Sequence, residues 1–376
     1  MGRPPDQAVP MSASAEATRR QPGWDNARWL AATLIVIHHL TSGLLARHPT
    51  LEMLDFAAWG MRVPVFCILA GYFSRSENLA PRDLRRLIES LLVPYLLFGL
   101  LHTLVLLVRG DGFRVHTVVP AWATWFLLSL LCWRIALPYI ARLRYPLLCS
   151  VVLALVIGYV DKVDNVYSAS RTVVWLPLFV IGWKLQQGWA QRLLSRRWTL
   201  VAAAAVITAD IMIAIGLHDR LDRSWLRTDA PYPSDWTPLL AWTVRLAMLA
   251  TATVVALSTL RLVPKRSIPL ITYLGSGGLF VYLLHPLVLR LIGDRLETWL
   301  DGWWALPGAV AIGALTAAVL GSAPVRTIAA PIVRPRWRWL FRPDGDRTHQ
   351  KMRTPTEQSV ARTDRPAWRG DARPTP

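Results

Sequence analysis

The chain has 376 residues, 53% of them apolar, with a mean hydropathy of +0.33, 19 Trp and a formal net charge of +18. That balance excludes an ordinary soluble domain. It does not indicate a nucleic-acid binder either, because the arginines fall mainly in short loops between apolar runs and in the C-terminal stretch, as on the cytoplasmic face of a membrane protein.

Residues 1–23 are polar and rich in Pro, Ala and Ser, and are expected to be disordered. Apolar runs able to cross a bilayer of about 30 Å follow near 28–46, 57–74, 87–108, 119–139, 146–160, 172–187, 198–217, 238–260, 268–290 and 303–322. The fifth and sixth are short, with Asp161, Lys162 and Asp164 crowded between them. The first is not a cleavable signal, since no small-residue cleavage site follows it and its interior histidines are foreign to a signal's apolar region. Cys67, Cys132 and Cys149 lie in or beside apolar runs with no CxxC pairing, so they read as packing residues rather than disulfides or zinc ligands. The segment 323–342 runs into PIVRPRWRWLFRP (331–343), whose alternating Arg and Trp fit the headgroup layer, with Arg on anionic lipid. Residues 343–376 have almost no aliphatic side chains and are expected to be disordered.

Lys and Arg are about twice as frequent on one set of alternate loops as on the other, which places both termini in the cytoplasm and requires an even number of spans. The expected fold is an all-α integral membrane protein of the cytoplasmic membrane: about ten transmembrane helices over 24–322.

The first run, WDNARWLAATLIVIHHL (24–40), carries ionisable groups where each costs roughly 2.5–3.5 kcal/mol on insertion scales. Arg28 and His39 are eleven residues apart, so on a helix they share one face within about 20° and lie about 16 Å apart along the axis. A surface cation thus stands below a deep imidazole, an arrangement suited to a ligand whose anionic end stays at the cytoplasm while its reactive end reaches the histidine. His38 points about 100° away, toward a neighbouring helix or lipid, where its expected contribution is stability rather than turnover.

This spacing, preceded by Asp25 and Asn26, resembles the first-helix motif of membrane acyltransferase family 3, and the DNAR opening is most similar to its fucose 4-O-acetylase-like branch. Five further stretches resemble that family in order: VPVFCILAGYFS (63–74), LLVPYLLFG (91–99), TWFLLSLLCWRIALP (124–138), WLPLFVIGWKL (175–185) and YLGSGGLFVYLLHPLVL (273–289). The chain departs from the pattern at Ser90, where a basic residue is expected four before the proline of the third helix; Arg85 and Arg86 lie upstream.

The resemblance implies O-acylation of a sugar, polysaccharide or related hydroxyl by acyl-CoA, chiefly acetyl-CoA, with no metal. His39 is then the general base, a neutral imidazole worth roughly 10²- to 10⁴-fold in rate. Arg28 is the ligand of CoA phosphates, oriented by Asp25 at the helix start. Without the resemblance, Arg28 reads as a cytoplasmic anchor rather than a ligand-binding residue. Arg134 is assigned to the cofactor, with an ion pair to Glu89 or Asp210 as the alternative. Trp125, Tyr72 and His285 are assigned to the substrate; for Trp125 and His285 packing roles stand alongside. His102 reads as structural.

Two other classes are compatible with composition. A membrane cytochrome would ligate haem through His38 or His39, His102 and His285, and a transporter would place its site at broken helices, usually within repeated halves, of which none is visible here. The phosphate-binding glycine loop, HExxH and GxSxG are absent, against an ATPase, a membrane metalloprotease or a serine hydrolase.

Overall fold

The structure, a computed structural model, describes residues 21–335 except 115, 117, 161–165, 227, 229 and 301. Residues 1–20 and 336–376, including the two expected disordered ends and most of the Arg/Trp stretch, lie outside the described residues.

All regular structure among the described residues is helical. The helices are α1 (Pro22–Thr41), α2 (Pro49–Trp59), α3 (Val63–Tyr72), α4 (Pro81–Leu87), α5 (Val93–Arg109), α6 (Trp125–Ile140), α7 (Pro146–Val156), α8 (Ala169–Val174), α9 (Leu176–Gln186), α10 (Gln191–Leu194), α11 (Trp198–Leu217), α12 (Pro238–Leu262), α13 (Pro269–Gly275), α14 (Gly278–Trp299), α15 (Ala305–Gly321) and α16 (Ala323–Val333). Proline opens many of them: Pro22, Pro49, Pro146, Pro238 and Pro269 stand in first turns, where an N–H would have no acceptor anyway. Gly110, at φ +79°, ends α5 and hands its N–H back to the carbonyls of Leu106 and Leu107. A π-helical turn, Ile88–Leu92, joins α4 to α5 and contains Ser90.

Six stretches are long and apolar enough to cross a membrane: Pro49–Tyr72, Pro81–Arg109, Trp122–Ile140, Trp198–Leu217, Pro238–Leu262 and Gly302–Gly321. The bent pairs α8 with α9 and α13 with the first part of α14 raise this to eight if each is one span. The ten sequence-expected segments differ at two places. The helix α1 is continuous over 20 residues, but Asp25, Asn26, Arg28, His38 and His39 dilute its apolarity. The stretch Pro146–Tyr159 is apolar but short. The start of α1 also converts residues 22–23, expected to be disordered, into helix.

The core forms where helices approach most closely. In α3, a Cβ on Gly71 would fall 1.9 Å from the carbonyl oxygen of Phe179 in α9, and one on Gly182 of α9 would fall 2.0 Å from that of Ile68 in α3. Reciprocal glycines thus let these two backbones touch, as small residues do between membrane helices. Cys67 is fully buried beside this crossing, as expected of a packing cysteine, whereas Cys132 is exposed on α6 and packs against no core. At the opposite extreme, only 11% of the apolar window of α11 is buried within the protein, and Val201 and Met212 stand 74% and 62% exposed. Such a surface is stable against hydrocarbon, not water.

Candidate active site

The helix α1 carries the polar groups, and its two ends have different surroundings. At the N-terminal end Asn26 clamps the helix in place: its amide donates to the carbonyls of Pro264 and Arg266, at 2.8 and 3.1 Å, and accepts from the Thr272 hydroxyl of α13 at 2.7 Å. Asp25 is fully buried and receives Nη1 of Arg28 at 2.7 Å. The Arg28 guanidinium lies 4.8 Å over the ring of Phe73 and keeps about a third of its side chain exposed. One residue on, the Ser74 hydroxyl receives Nε of Arg134 at 3.3 Å. Tyr72 packs its ring 4.5 Å from Trp24. Both line a cavity of about 600 Å³ whose wall includes Trp189, Arg261 and Lys265, with Arg28 beside it rather than in it. Arg28, Asp25, Tyr72 and Arg134, dispersed over more than 100 positions of sequence, therefore gather around residues 72–74. The ion pair of Arg134 with Glu89 or Asp210 is not formed among the described residues: Glu89 instead meets Arg85 at 3.1 Å, and Oδ2 of Asp210 is buried without a hydrogen-bond partner.

At the C-terminal end, His39 lines a second cavity of about 650 Å³, whose wall also includes Val119, Pro120 and Ala123 and, from another segment, Arg223, Leu226 and Thr228. Its wall is strongly aromatic, with Trp59, Trp122, Trp125, Trp175 and Tyr282. The His39 ring stacks on Trp122 with centroids 5.1 Å apart, on His285 at 5.3 Å and against His38 at 5.0 Å. Trp122 holds its position with φ +40°, an unusual conformation for a bulky residue, and the Arg290 guanidinium lies over its ring at 5.3 Å. His285 is fully buried; its Nδ1–H donates to the Val281 carbonyl at 2.9 Å, leaving Nε2 without a partner. Trp125 lines the cavity with the Arg171 guanidinium 5.4 Å over its ring.

His38 has two sets of neighbours. It does reach a neighbouring helix, but its ring also forms part of the cavity wall beside His39. The Nδ1–H of His38 donates to Oδ1 of Asp55 at 2.6 Å, and Nη1 of Arg62 donates to the same oxygen at 2.5 Å. Nη2 of Arg62 adds a bond to the Asp55 main-chain carbonyl at 3.1 Å. Helical turn geometry explains the shared face despite the break between α2 and α3: Asp55 and Arg62 are seven residues apart, close to two turns. That spacing was a readable signal, but the sequence places the start of its segment at 57, which leaves Asp55 outside.

His102 is buried, with both ring nitrogens unpartnered and the His116 ring 6.0 Å away. The haem alternative does not fit these residues. The His39 ring lies 5.0 Å from that of His38, tilted, and 5.3 Å from that of His285, stacked, so neither pair leaves room for an iron and its porphyrin between two axial imidazoles. Among the described residues no group of three or more His, Cys, Asp or Glu is arranged to hold a metal.

The arrangement has three chemical capacities. A cationic end with aromatic neighbours can hold a phosphorylated, ring-bearing ligand. An aromatic-walled cavity can stack a sugar ring or other flat, partly apolar acceptor. Imidazoles on that wall can move a proton. In a comparison with known families, a family model described as an acyltransferase domain covers residues 21–323, which include both ends of α1 and both cavities. No curated protein and no solved structure matches the chain. The match spans most of the sequence and nearly all of its helices, so the chain belongs to the acyltransferase 3 family (Acyl_transf_3) and is a membrane acyltransferase.

Proposed function

We propose that the protein moves an acyl group, acetyl in the first instance, from acyl-CoA to a hydroxyl of a sugar, polysaccharide or related acceptor. The observation that carries this reading is the cavity of about 650 Å³ in which His39 shares a wall with four tryptophans and a tyrosine. A hydroxyl nucleophile stacked there needs its proton removed as it attacks the thioester, and His39 is the base. Nine-tenths of the donor is nucleotide and pantetheine, which does no chemistry but must be held; Arg28, oriented by Asp25, binds its phosphates, and Arg134 stands close by on Ser74. Trp125 and Tyr72 are read as substrate contacts and His285 as the ring that supports His39 from behind.

In this reading the enzyme lies in the cytoplasmic membrane with ten spans, α1 and Pro146–Tyr159 completing the count, and with both termini in the cytoplasm. Donor and acceptor then approach from opposite ends of α1. The Arg/Trp-rich stretch after α16 rests on anionic lipid headgroups.

The test is direct. Purified protein is given acetyl-CoA labelled in the acetyl group, together with neutral and acidic sugars and oligosaccharides, and both CoA release and label on the acceptor are measured. Acceptor-dependent label in an ester bond is the expected result. Substrate counterflow across vesicles with no acyl transfer would decide for a transporter instead.

A further inference from the structure

We propose that Asp55, fixed by Arg62, is a positioning residue that makes His38 a second proton-carrying imidazole of the acyl-transfer site. The inference deepens the function proposed above and rests on it.

It begins with a charge that has to be accounted for. Asp55 and Arg62 are 6% and 5% exposed, at a depth where an unpaired ion is costly. The guanidinium satisfies the carboxylate at 2.5 Å and ties down its main chain at 3.1 Å, so the acid is held rigidly in its acceptor form. An ionised carboxylate can only accept. The ring nitrogen 2.6 Å from it, Nδ1 of His38, is therefore the N–H, and in the neutral ring the lone pair belongs to Nε2.

Orientation from behind by a third group is what an imidazole needs to serve as a base. Of the two adjacent histidines, His38 has it. His39 makes no ring hydrogen bond among the described residues and is bounded by the rings of Trp122, His285 and His38. His38 keeps a third of its side chain exposed to the same cavity, with its ring 5.0 Å from that of His39. The two imidazoles form one unit with a single anchored end.

The step balances without any further reactant. The acceptor oxygen forms a bond to the acyl carbon as the carbon–sulfur bond of the thioester breaks. The hydroxyl proton passes to the imidazole pair, is carried opposite the Asp55 carboxylate, and is returned to the departing CoA thiolate. A purely structural cluster, joining α1 to α2 and α3, would contain the same bonds but would not govern the rate.

The experiment separates the two. CoA release from acetyl-CoA, with water or an added sugar as acceptor, is measured for wild type, His39→Gln, His38→Gln, Asp55→Asn, Asp55→Glu and the His38→Gln/Asp55→Asn pair. Amounts are normalised to folded protein by thermal unfolding. His38→Gln and Asp55→Asn are each expected to lower kcat by about 10-fold or more, with KM for acetyl-CoA changed by less than about 2-fold. The pair should be no slower than His38→Gln alone, because both changes act through one ring. Asp55→Glu should recover part of the rate. Independently of any substrate, a strongly downfield imidazole N–H proton resonance is expected in wild type and His39→Gln, absent in His38→Gln and moved upfield in Asp55→Asn.

Losses that track only the folded fraction, penalties that multiply in the pair, or a downfield resonance that survives His38→Gln would each overturn the proposal. If His39→Gln is inactive while the His38 and Asp55 variants match wild type, this proposal falls and the proposed function stands. If wild type releases no CoA with any acceptor, both fall together.

Discussion

The two ends of α1 make separable demands on single side chains. On the proposed function, replacing His39 by Gln removes the base but leaves the Arg28 end, proposed to bind phosphate, untouched some 16 Å away along the axis. Acetyl transfer should fall by about 10²- to 10⁴-fold while equilibrium binding of acetyl-CoA stays within about 2-fold, measured by calorimetry on protein in detergent. Replacing Arg28 by Ala should do the reverse. A charge-assisted hydrogen bond is worth roughly 1.5–3 kcal/mol, so KM for acetyl-CoA should rise by about 10- to 100-fold with a smaller change in kcat. A well-inserted Arg28→Ala protein that binds acetyl-CoA as wild type does would reduce Arg28 to an anchor stacked on Phe73. The Arg28–His39 relation was legible in the sequence because it lies within one unbroken helix, where spacing fixes the face. The roles of His38, Trp122 and Asn26 were not. His38 acquires its partner from α2, Trp122 reaches His39 from the first residue of a 3-10 turn, at positive φ, and the partners of Asn26 are some 240 positions away. No periodicity encodes those encounters.

Among the elements, the α3–α9 crossing is a tight joint that positions the site, since Arg62 immediately precedes α3 and the Tyr72 to Ser74 cluster lies at its end. A Cβ on Gly182 would meet backbone rather than a flexible side chain, so Gly182→Val forces the helices apart. A cost of about 1–3 kcal/mol or more is expected, seen as a lowered unfolding temperature together with lost activity at both ends of α1. Gly216 of α11 provides the contrast: nothing lies within 4 Å of its added Cβ, and Gly216→Ala should be neutral or stabilising by up to about 1 kcal/mol. Helix existence was well marked in the sequence by apolar runs with proline at their starts. The breaks were not. The interruption at Gly60–Arg62 leaves Pro49–Tyr72 a single apolar stretch, the bends of 54° between α8 and α9 and 71° between α13 and α14 separate six apolar spans from eight, and the polar groups of α1 with the shortness of Pro146–Tyr159 account for the remaining two.

At the scale of the whole molecule, sidedness follows from loop charge and is open to measurement. In a background lacking Cys67, Cys132 and Cys149, a cysteine at Ser234, exposed between α11 and α12, should react with an impermeant maleimide in intact cells. One at Ser195, exposed between α10 and α11, should react only after the membrane is opened. The opposite pattern would invert the topology, and with it the compartments assigned to donor and acceptor. The helix α11 between those two positions meets the rest of the protein mainly through α12 and α2, and only 11% of its apolar window is buried. Its cohesion with the rest of the fold is therefore set as much by the surrounding amphiphile as by the polypeptide. A melting temperature recorded for this enzyme will belong to a protein–detergent pair, so variants are comparable only in one fixed detergent. Extraction into short-chain detergents should loosen α11 first, visible as early amide exchange there while the α3–α9 crossing stays protected.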